Sequence, residues 1–452
     1  MLSLFTQTLT SHRNLASVCL LLVFLLVACG GGSDGGTDGV ASWVGTKQLG
    51  AASADTSGYS IATDANGNVY VAGYTTGDLD GNMQTGIRDF FVTKYNKAGV
   101  RQYTRQLGVM AAYTSGNSVA TDIFGNVYVV GYTTGDLDSN TRVGTNDFFI
   151  TKYDSNGIKQ YTHQLGVAAV ETNGSSVATD TDGNVYVAGV TAGDLDGNTL
   201  TGTWDFFVTK YDSIGVKQFT RQLGVVAADT YGTSVATDAN GNVYVAGWTY
   251  GGLDGNTLTG IEDFFFTKYD STGVKQYTRQ LGVAGAHTQG NSVTTDANGN
   301  VYVVGFTRGD LDGNTLTGTR DFFVTKYDSA GVKQYTLQLG VAGELAGAAS
   351  VATDTSGNVY VSGSTTGNLD GNTLTGAYDF FVTKYDDTGV KQYTRQLGAT
   401  GAGVRTNGNS VATDADGNVY VTGDTTGNLD DNTLTGIRDF FITKYDSNGV
   451  RQ

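Results

Sequence analysis

Seven times along this chain the same acidic loop returns. One copy, residues 309–323, reads GDLDGNTLTGTRDFF, with Asp310, Asp312 and Asn314 at alternate positions beside a glycine. Oxygen-bearing side chains spaced in this way are what a calcium ion uses, since it gathers six to eight oxygens from carboxylates, amide carbonyls, backbone and water. The candidate ligands are Asp78, Asp80 and Asn82; Asp136, Asp138 and Asn140; Asp194, Asp196 and Asn198; Asp254 and Asn256; Asp310, Asp312 and Asn314; Asp370 and Asn372; and Asp430 and Asn432. A full EF-hand loop ends in a bidentate Glu. No Glu follows here; the next acid is the Asp before each Phe-Phe pair, Asp89, Asp147, Asp205, Asp263, Asp321, Asp379 and Asp439, which either folds back or caps the turn. The same residue types also build a turn without metal, because Asp and Asn bond to nearby backbone N–H groups and tolerate left-handed conformations, and Gly permits positive φ. The first position has become Gly252, Asn368 and Asn428 in three copies, which favours the turn. Calcium is the one cofactor that the residues suggest.

Other chemistry is thinly supplied. The 452 residues hold two cysteines, Cys19 and Cys29, and three histidines, of which only His163 and His287 follow the apolar N-terminal run. Thiolate zinc sites and internal disulfides are excluded from everything after residue 29, and neither later histidine falls in a repeated position. The formal charge of −16 argues against a nucleic-acid partner, whose phosphates are bound by Lys and Arg. Glycine is abundant at 66 residues, proline is absent, and 26 Tyr with 20 Phe rule out a disordered composition and suggest short strands joined by tight turns.

The elements that must position the loops follow from a repeat. GNVYV begins at Gly67, Gly125, Gly183, Gly241, Gly299, Gly357 and Gly417, a period of 58 residues five times and then 60. Each unit carries four strand-like runs rich in Val, Tyr, Phe and Thr. In the fourth unit they are 234–238, 242–249, 263–270 and 274–281, separated by Asp/Asn/Gly turn signals. Seven four-stranded units without helical periodicity predict an all-β, seven-bladed β-propeller. The last unit stops at Gln452 with its fourth strand incomplete, while residues 43–50, WVGTKQLG, align with QYTRQLG elsewhere. The N-terminal strand is therefore expected to complete the last blade and close the ring, leaving no open sheet edge. One propeller is expected over residues 43–452, as a monomer. The small SVATD strand should line the channel and the Lys/Gln/Arg-bearing fourth strand should lie outermost. DANGN stretches read as hairpin turns, and Tyr70, Phe90, Phe91, Tyr95, Tyr103 and their repeats as packing within and between blades.

The unit D-x-x-G-N-V-Y-V-x-G-x-T … D-F-F-V-T-K-Y-D-x-x-G-V-K-Q-Y-T-R-Q-L-G resembles the bacterial β-propeller repeat family known as SBBP. WD40 fits poorly: the period is too long and Trp204-Asp205 is the lone Trp-Asp pair. The resemblance implies the fold and an extracytoplasmic setting more than an activity.

With this strand order, the acidic loop and the link to the next blade share one face, to which function is assigned because binding residues gather on loops held by a rigid scaffold. The links, 51–59, 109–117, 167–175, 225–233, 283–291, 341–349 and 399–409, break the sevenfold sameness at Tyr113, Glu171, Asp229, Tyr231, His287, Glu344 and Arg405. These are the candidate ligand-binding residues; drift in unconstrained loops is the competing explanation. No nucleophile–base–acid set is visible, so no catalytic residue is assigned. The first reading is a binding or scaffold module for protein or glycan. The alternatives are a lyase or hydrolase with an acidic pocket at the channel mouth, and a purely structural envelope protein. An enzyme should cluster His287, Glu344 and Arg405; a scaffold leaves them around the ring.

The N-terminus reads as an address. Residues 15–28, LASVCLLLVFLLVA, form an apolar run of signal-peptide length behind His12 and Arg13. It ends in Leu26-Val27-Ala28-Cys29 before the glycine-rich linker 29–42. That junction resembles a bacterial lipobox, which implies cleavage after residue 28, lipidation of Cys29 and attachment to a membrane. Gly30, rather than Asp, follows the cysteine, which points to the outer membrane of a bacterial envelope.

Overall fold

A computed structural model describes residues 42–452. The apolar run 15–28 and Cys29 lie outside the described residues.

The strand sequences explain their own depth. Val, Tyr and Phe occupy successive positions of the second and third runs, as in Val69–Thr75 and Asp89–Tyr95, so both faces of these strands are apolar and both are covered by neighbouring sheets. The fourth run, such as Lys275–Leu281, begins exposed and never becomes fully apolar. The first is built of Ser, Thr, Gly and Ala, which lets strands crowd together.

The result is seven four-stranded antiparallel sheets. Blade four, with strands Thr230–Thr237, Val243–Thr249, Asp263–Tyr269 and Lys275–Leu281, is representative. Each innermost strand packs on the next, and Thr406–Thr413 of blade seven packs on Thr56–Thr63 of blade one, so the ring is closed.

Closure is made by both ends of the chain. Lys47–Leu49 pairs antiparallel with Asp439–Tyr445 as the outer strand of blade seven. Arg451 bridges to Tyr445 on the same strand, and the Gly45 N–H donates to the Gln452 carbonyl at 2.9 Å. The Thr46–Thr443 hydroxyl contact of 3.0 Å reproduces Thr104–Thr93 of blade one at 3.1 Å. One outer strand is thus assembled from residues 449–452 and 46–49. Its missing aromatic, Tyr103 in blade one, is replaced by Trp43, which is buried and packs edge-on against Tyr420 at 5.5 Å.

Three sevenfold contact rings join the blades. Each innermost-strand Thr hydroxyl donates to the carbonyl of its counterpart in the preceding blade: Thr121 to Thr63, Thr179 to Thr121, Thr237 to Thr179, Thr295 to Thr237, Thr353 to Thr295, Thr413 to Thr353, and Thr63 back to Thr413, at 2.7–2.9 Å. Serine hydroxyls make a second ring by accepting the Val or Ile N–H of the next blade, as in Val235 to Ser176 at 3.1 Å and Ile61 to Ser410 at 3.3 Å. In the third, the first Phe of each D-F-F stacks on the second Phe of the next blade with centroids 4.9–5.2 Å apart, ending in Phe440 on Phe91. Offset ring pairs of this kind add to area burial.

The D-x-x-G-N-V-Y hairpin forms as its residues demand. Gly241 has φ +74, and the buried Asp238 accepts the Asn240 and Asn242 N–H groups, the Asn242 amide and the Tyr244 hydroxyl.

The innermost strands start four residues before SVATD, at Thr56, Thr114, Thr172, Thr230, Thr288, Ala346 and Thr406. The second half of each presumed link is therefore strand, and Tyr231 stands on it. The cause is a β-bulge, between Gly232 and Ser234 in blade four, in a segment without apolar alternation to reveal it.

Candidate functional site

The acidic loop is a compact, internally bonded turn. Leu311–Gly313 is a single 3₁₀ turn in which Asp312 takes φ +55 and ψ +39, the left-handed region that Asp and Asn tolerate. Asp310 Oδ1 accepts the Leu316 N–H at 2.8 Å. Asp312 pairs with Lys333 of the outer strand. The Asn314 amide donates to the Leu311 and Thr336 carbonyls at 2.8 and 3.1 Å. Asp321, fully buried, accepts the Thr317 and Gly318 N–H groups and the Gln338 amide at 2.7, 2.8 and 3.1 Å. It caps the loop, and a β-carbon on Gly340 of the Q-L-G triplet would run into its carboxylate. The other copies follow this pattern: Asp80, Asp138, Asp196, Asp254, Asp370 and Asp430 each pair with a Lys or Arg. Where Asn368 and Asn428 replace the first Asp, their amide oxygens accept the same N–H. Turn hydrogen bonds and ion pairs engage the repeated Asp and Asn residues of the loop.

The same loops present the individual residues. The residue before each D-F-F lies beside the residue before the next innermost strand in a parallel bridge: Arg88 with Tyr113, Asn146 with Glu171, Trp204 with Asp229, Glu262 with His287, Arg320 with Leu345, Tyr378 with Arg405, and Arg438 with Asp55. Tyr113, Glu171, Asp229, His287 and Arg405 therefore occupy one equivalent position in blades two to five and seven, where blade six has Leu345. Tyr231 follows two residues later on its strand, and Glu344 directly precedes its bridge position. They line a rim over blades two to seven, each beside its own partner from the preceding blade. His287 sits on Glu262 at 3.0 Å, Glu344 accepts from Thr366 at 2.7 Å, and Arg405 covers the Tyr378 ring at 4.9 Å.

Half of this rim was missed in the sequence: the bridge partners Arg88, Asn146, Trp204, Glu262, Arg320, Tyr378 and Arg438, and residues at or just past the ends of the second strands, among them Tyr74, Trp248, Tyr250, Phe306, Arg308 and Asp424. The available signal was a comparison of the repeats position by position just before D-F-F and after V-x-G, where they also differ.

The rim has distinct sectors. Around blades three and four, Trp204 lies 6.2 Å from Tyr231, which lies 5.2 Å from Trp248. The Tyr231 hydroxyl donates to Asp229 at 3.1 Å, and burial followed by that carboxylate pushes its phenol up to about 12. Between blades four and five, an open cleft of about 240 Å³ is lined by Tyr250, Glu262, His287, Gln289, Phe306 and Arg308. Glu262 is 1 % exposed; its Oε1 lies 3.0 Å from His287 Nδ1 and accepts the Gln289 amide at 2.8 Å. Tyr250 leans on the same carboxylate, whose hydrogen-bonding pull, ahead of burial, pushes its phenol up to about 12. The Tyr250 hydroxyl nevertheless makes no well-formed bond to Oε2, which is buried without a partner. In the last sector Asp424 is held by Asn407, Asn409 and Arg438. Larger clefts of about 310 and 360 Å³ lie elsewhere, between neighbouring hairpins around Lys210 and Ser271. They repeat framework residues, and Lys210 there already donates to the Ser271 carbonyl.

Four antiparallel strands per blade, seven blades and an outer strand shared between the chain ends define a closed seven-bladed β-propeller with one individual rim. The chain belongs to the Beta-propeller repeat (SBBP) family, whose description matches residues 44–80, 102–138, 160–196, 218–254, 276–312, 334–370 and 392–430. The Regulatory protein FlaEY of Caulobacter vibrioides is 29 % identical over 206 residues, which is 41 % of this chain and 21 % of that protein. Among solved structures, a chain of the Mitotic Checkpoint Complex is similar with TM-score 0.49 at 11 % identity, covering 94 % of this chain and 98 % of that one. A PL25 ulvan lyase is similar with TM-score 0.47 at 12 % identity, covering 90 % and 97 %.

Proposed function

We propose that this propeller is an extracytoplasmic binding module whose variable rim holds a protein or glycan partner, tethered to a bacterial outer membrane by lipid on Cys29. The observation that carries the binding reading is where the repeats differ. Threonine, serine, phenylalanine and aspartate recur in every blade where they hold the ring together, whereas the fourteen residues of the seven rim bridges follow no sevenfold pattern. The hairpins of the opposite face vary too, as Ile123 and Phe124 show, but the rim changes in charge, size and aromatic character at nearly every blade, and a rigid scaffold carrying such a loop face is the arrangement of a recognition surface. The spread of His287, Glu344 and Arg405 over successive blades favours a module over an enzyme pocket built from those three.

The test exposes the full chain to envelope extracts and to a panel of immobilised glycans. Tyr113→Ala, Trp204→Ala and Arg405→Ala on the rim should each weaken capture at least several-fold, and Lys217→Ala on an outer strand should not. Equal capture by all four variants overturns the reading. For the anchor, metabolic labelling with an alkyne fatty acid should mark the wild type and leave Cys29→Ser unmarked.

A further inference from the structure

The cleft between blades four and five and the one adjoining it across Phe306 together carry three unmet demands. The first is Glu262 Oε2, a buried carboxylate oxygen towards which the Tyr250 hydroxyl leans without a well-formed bond; such an atom loses its hydration for little in return. The second is a pair of guanidinium groups. Arg308 stands on the rim of the cleft and Arg320 lies across Phe306 from it, its guanidinium carbon 4.7 Å from the ring centre. Neither has a carboxylate within 4.0 Å among the described residues, and Arg320 Nε is buried without an acceptor. Burial, then the nearby Arg308, push the Arg320 guanidinium down, as expected of two like charges without a counter-ion. The third is Phe306, half-buried, which lines both this cleft and the adjoining one at Arg320, Ser364 and Asn409.

We infer that these two adjoining clefts bind an acidic sugar residue of a polysaccharide across the edge of Phe306, with ring hydroxyls donating to Glu262 Oε2, the carboxylate received by Arg308 and by Arg320 on the far side of Phe306, and the apolar face of the sugar against Phe306. The inference rests on the rim-binding reading and names its ligand. A ligand that meets all three demands must combine hydrogen-bond donors, an anion suited to guanidinium and a flat apolar face. An amino acid meets the first two through its ammonium and carboxylate groups, but the surroundings favour a chain of sugars. The cleft is an open groove, and Trp248, two residues before Tyr250 on the same run, belongs to the Trp204–Tyr231–Trp248 platform on which further sugars stack. The acidic net charge does not oppose this locally, because at physiological salt charges more than about 8 Å away are screened.

The experiment titrates the purified full chain calorimetrically with tetrasaccharides of galacturonate, of mannuronate and of glucuronate–N-acetylglucosamine, with cellotetraose as the neutral sugar and free glutamate and phenylalanine as amino acids. At least one acidic tetrasaccharide should bind at least tenfold more tightly than cellotetraose. Arg308→Ala and Arg320→Ala should each remove about that tenfold for the acidic sugar and leave the neutral one unchanged. Glu262→Gln, which keeps the shape, should weaken the acidic sugar several-fold. Arg308 is exposed, so its variant tests the site without disturbing the fold. No acidic tetrasaccharide ahead of cellotetraose, arginine variants without effect, or an amino acid held through Glu262 each overturns the inference. If the charge-dependent differences vanish while Trp248→Ala still weakens cellotetraose, or while rim variants still lose an envelope protein, the binding-module reading stands and only the acidic-sugar assignment falls. If rim variants change nothing, both fall.

Discussion

Asp312 shows how much a single repeated residue can be asked to explain. Its left-handed backbone accounts for an Asp at the third loop position, and its ion pair with Lys333 lies on a partly exposed outer strand, where such pairs contribute about 0–1 kcal/mol. Asp312→Asn and Asp312→Gly should therefore stay within about 0.5 kcal/mol of wild type, whereas Asp312→Val should cost about 1–2 kcal/mol for its strained φ. Urea unfolding separates these outcomes. Repeating the melts in calcium and in chelator should give coincident curves, because a cation would have to displace the Leu316 N–H from Asp310 and Lys333 from Asp312; a calcium-dependent rise lost in Asp312→Asn would instead establish a metal site by mass action. Asp321 matters more. Removing its carboxylate leaves the part-buried Thr317 and Gly318 N–H groups without their acceptor and the Gln338 amide with only the Gly309 carbonyl, so Asp321→Ala should destabilise by about 1–3 kcal/mol, the cost of an orphaned donor. Asp424 sets a pH dependence. Burial, against the opposing pull of Arg438, raises its carboxyl above the ordinary range, so between about pH 3.9 and that raised value the folded chain binds more protons than the unfolded one. This group's contribution to stability thus falls as pH rises through that window. The melting-temperature advantage of Asp424→Asn at pH 7 should shrink as both proteins are acidified towards pH 4, and a gap that widens instead would show that the Arg438 pairing dominates.

At the scale of elements, the blades differ in how openly they announce themselves. The second and third strands were legible because both their faces are buried, so Val69–Thr75 and Asp89–Tyr95 are apolar almost throughout. The closing strand was legible because residues 47–50 repeat the Q-L-G ending of every other outer strand. The innermost strands were half legible: Thr230-Tyr231-Gly232-Thr233 has neither apolar alternation nor a single register, since a bulge interrupts it, and its cohesion comes from the next blade's hydroxyls and carbonyls, which no local pattern reveals. The rim was half legible for a related reason, because Glu262 and Arg320 look like loop residues until the parallel bridges set them beside His287 and Leu345. The role of Trp43 lay beyond local pattern altogether. It fills the gap that the divided outer strand leaves at the tyrosine position and covers Gly99 of blade one. Trp43→Ala should therefore cost about 3–5 kcal/mol, the range for deleting a large buried aromatic, and Trp43→Tyr should recover most of it. Denaturant midpoints of the three proteins decide this, and an alanine variant as stable as wild type would reduce Trp43 to a bystander.

For the whole molecule, the decisive feature is where the chain ends fall. Because the outer strand of blade seven is made from both ends, the first and last residues of the propeller are held in one sheet, and separating blade seven from blade one requires breaking strand pairing as well as side-chain packing. Circular permutation tests whether this sharing, rather than ring packing alone, holds the circle shut. Joining Gln452 to Thr46 through one tyrosine restores the K-Q-Y-T order of the other outer strands with Arg451 in the lysine's place, and the new tyrosine takes the position over Gly99 that its counterparts hold over Gly157 and Gly331. The joined chain can then be opened at two places. Opened between Gln276 and Tyr277, blade four becomes the blade with the divided outer strand and the ends are shared as before. Opened between Ala284 and Gly285, on an exposed link, every blade keeps an intact outer strand and the ring is closed by side chains and the hydroxyl rings alone. The two proteins have the same residues and the same interfaces. If a shared strand is the latch, the first should match wild type within about 1 kcal/mol and the second should be less stable by about 2 kcal/mol, a large effect for a change that removes no contact side chain, and should unfold faster in guanidinium. If both unfold alike, the threonine, serine and phenylalanine rings suffice to close the circle, and the divided strand merely records where the repeats were cut.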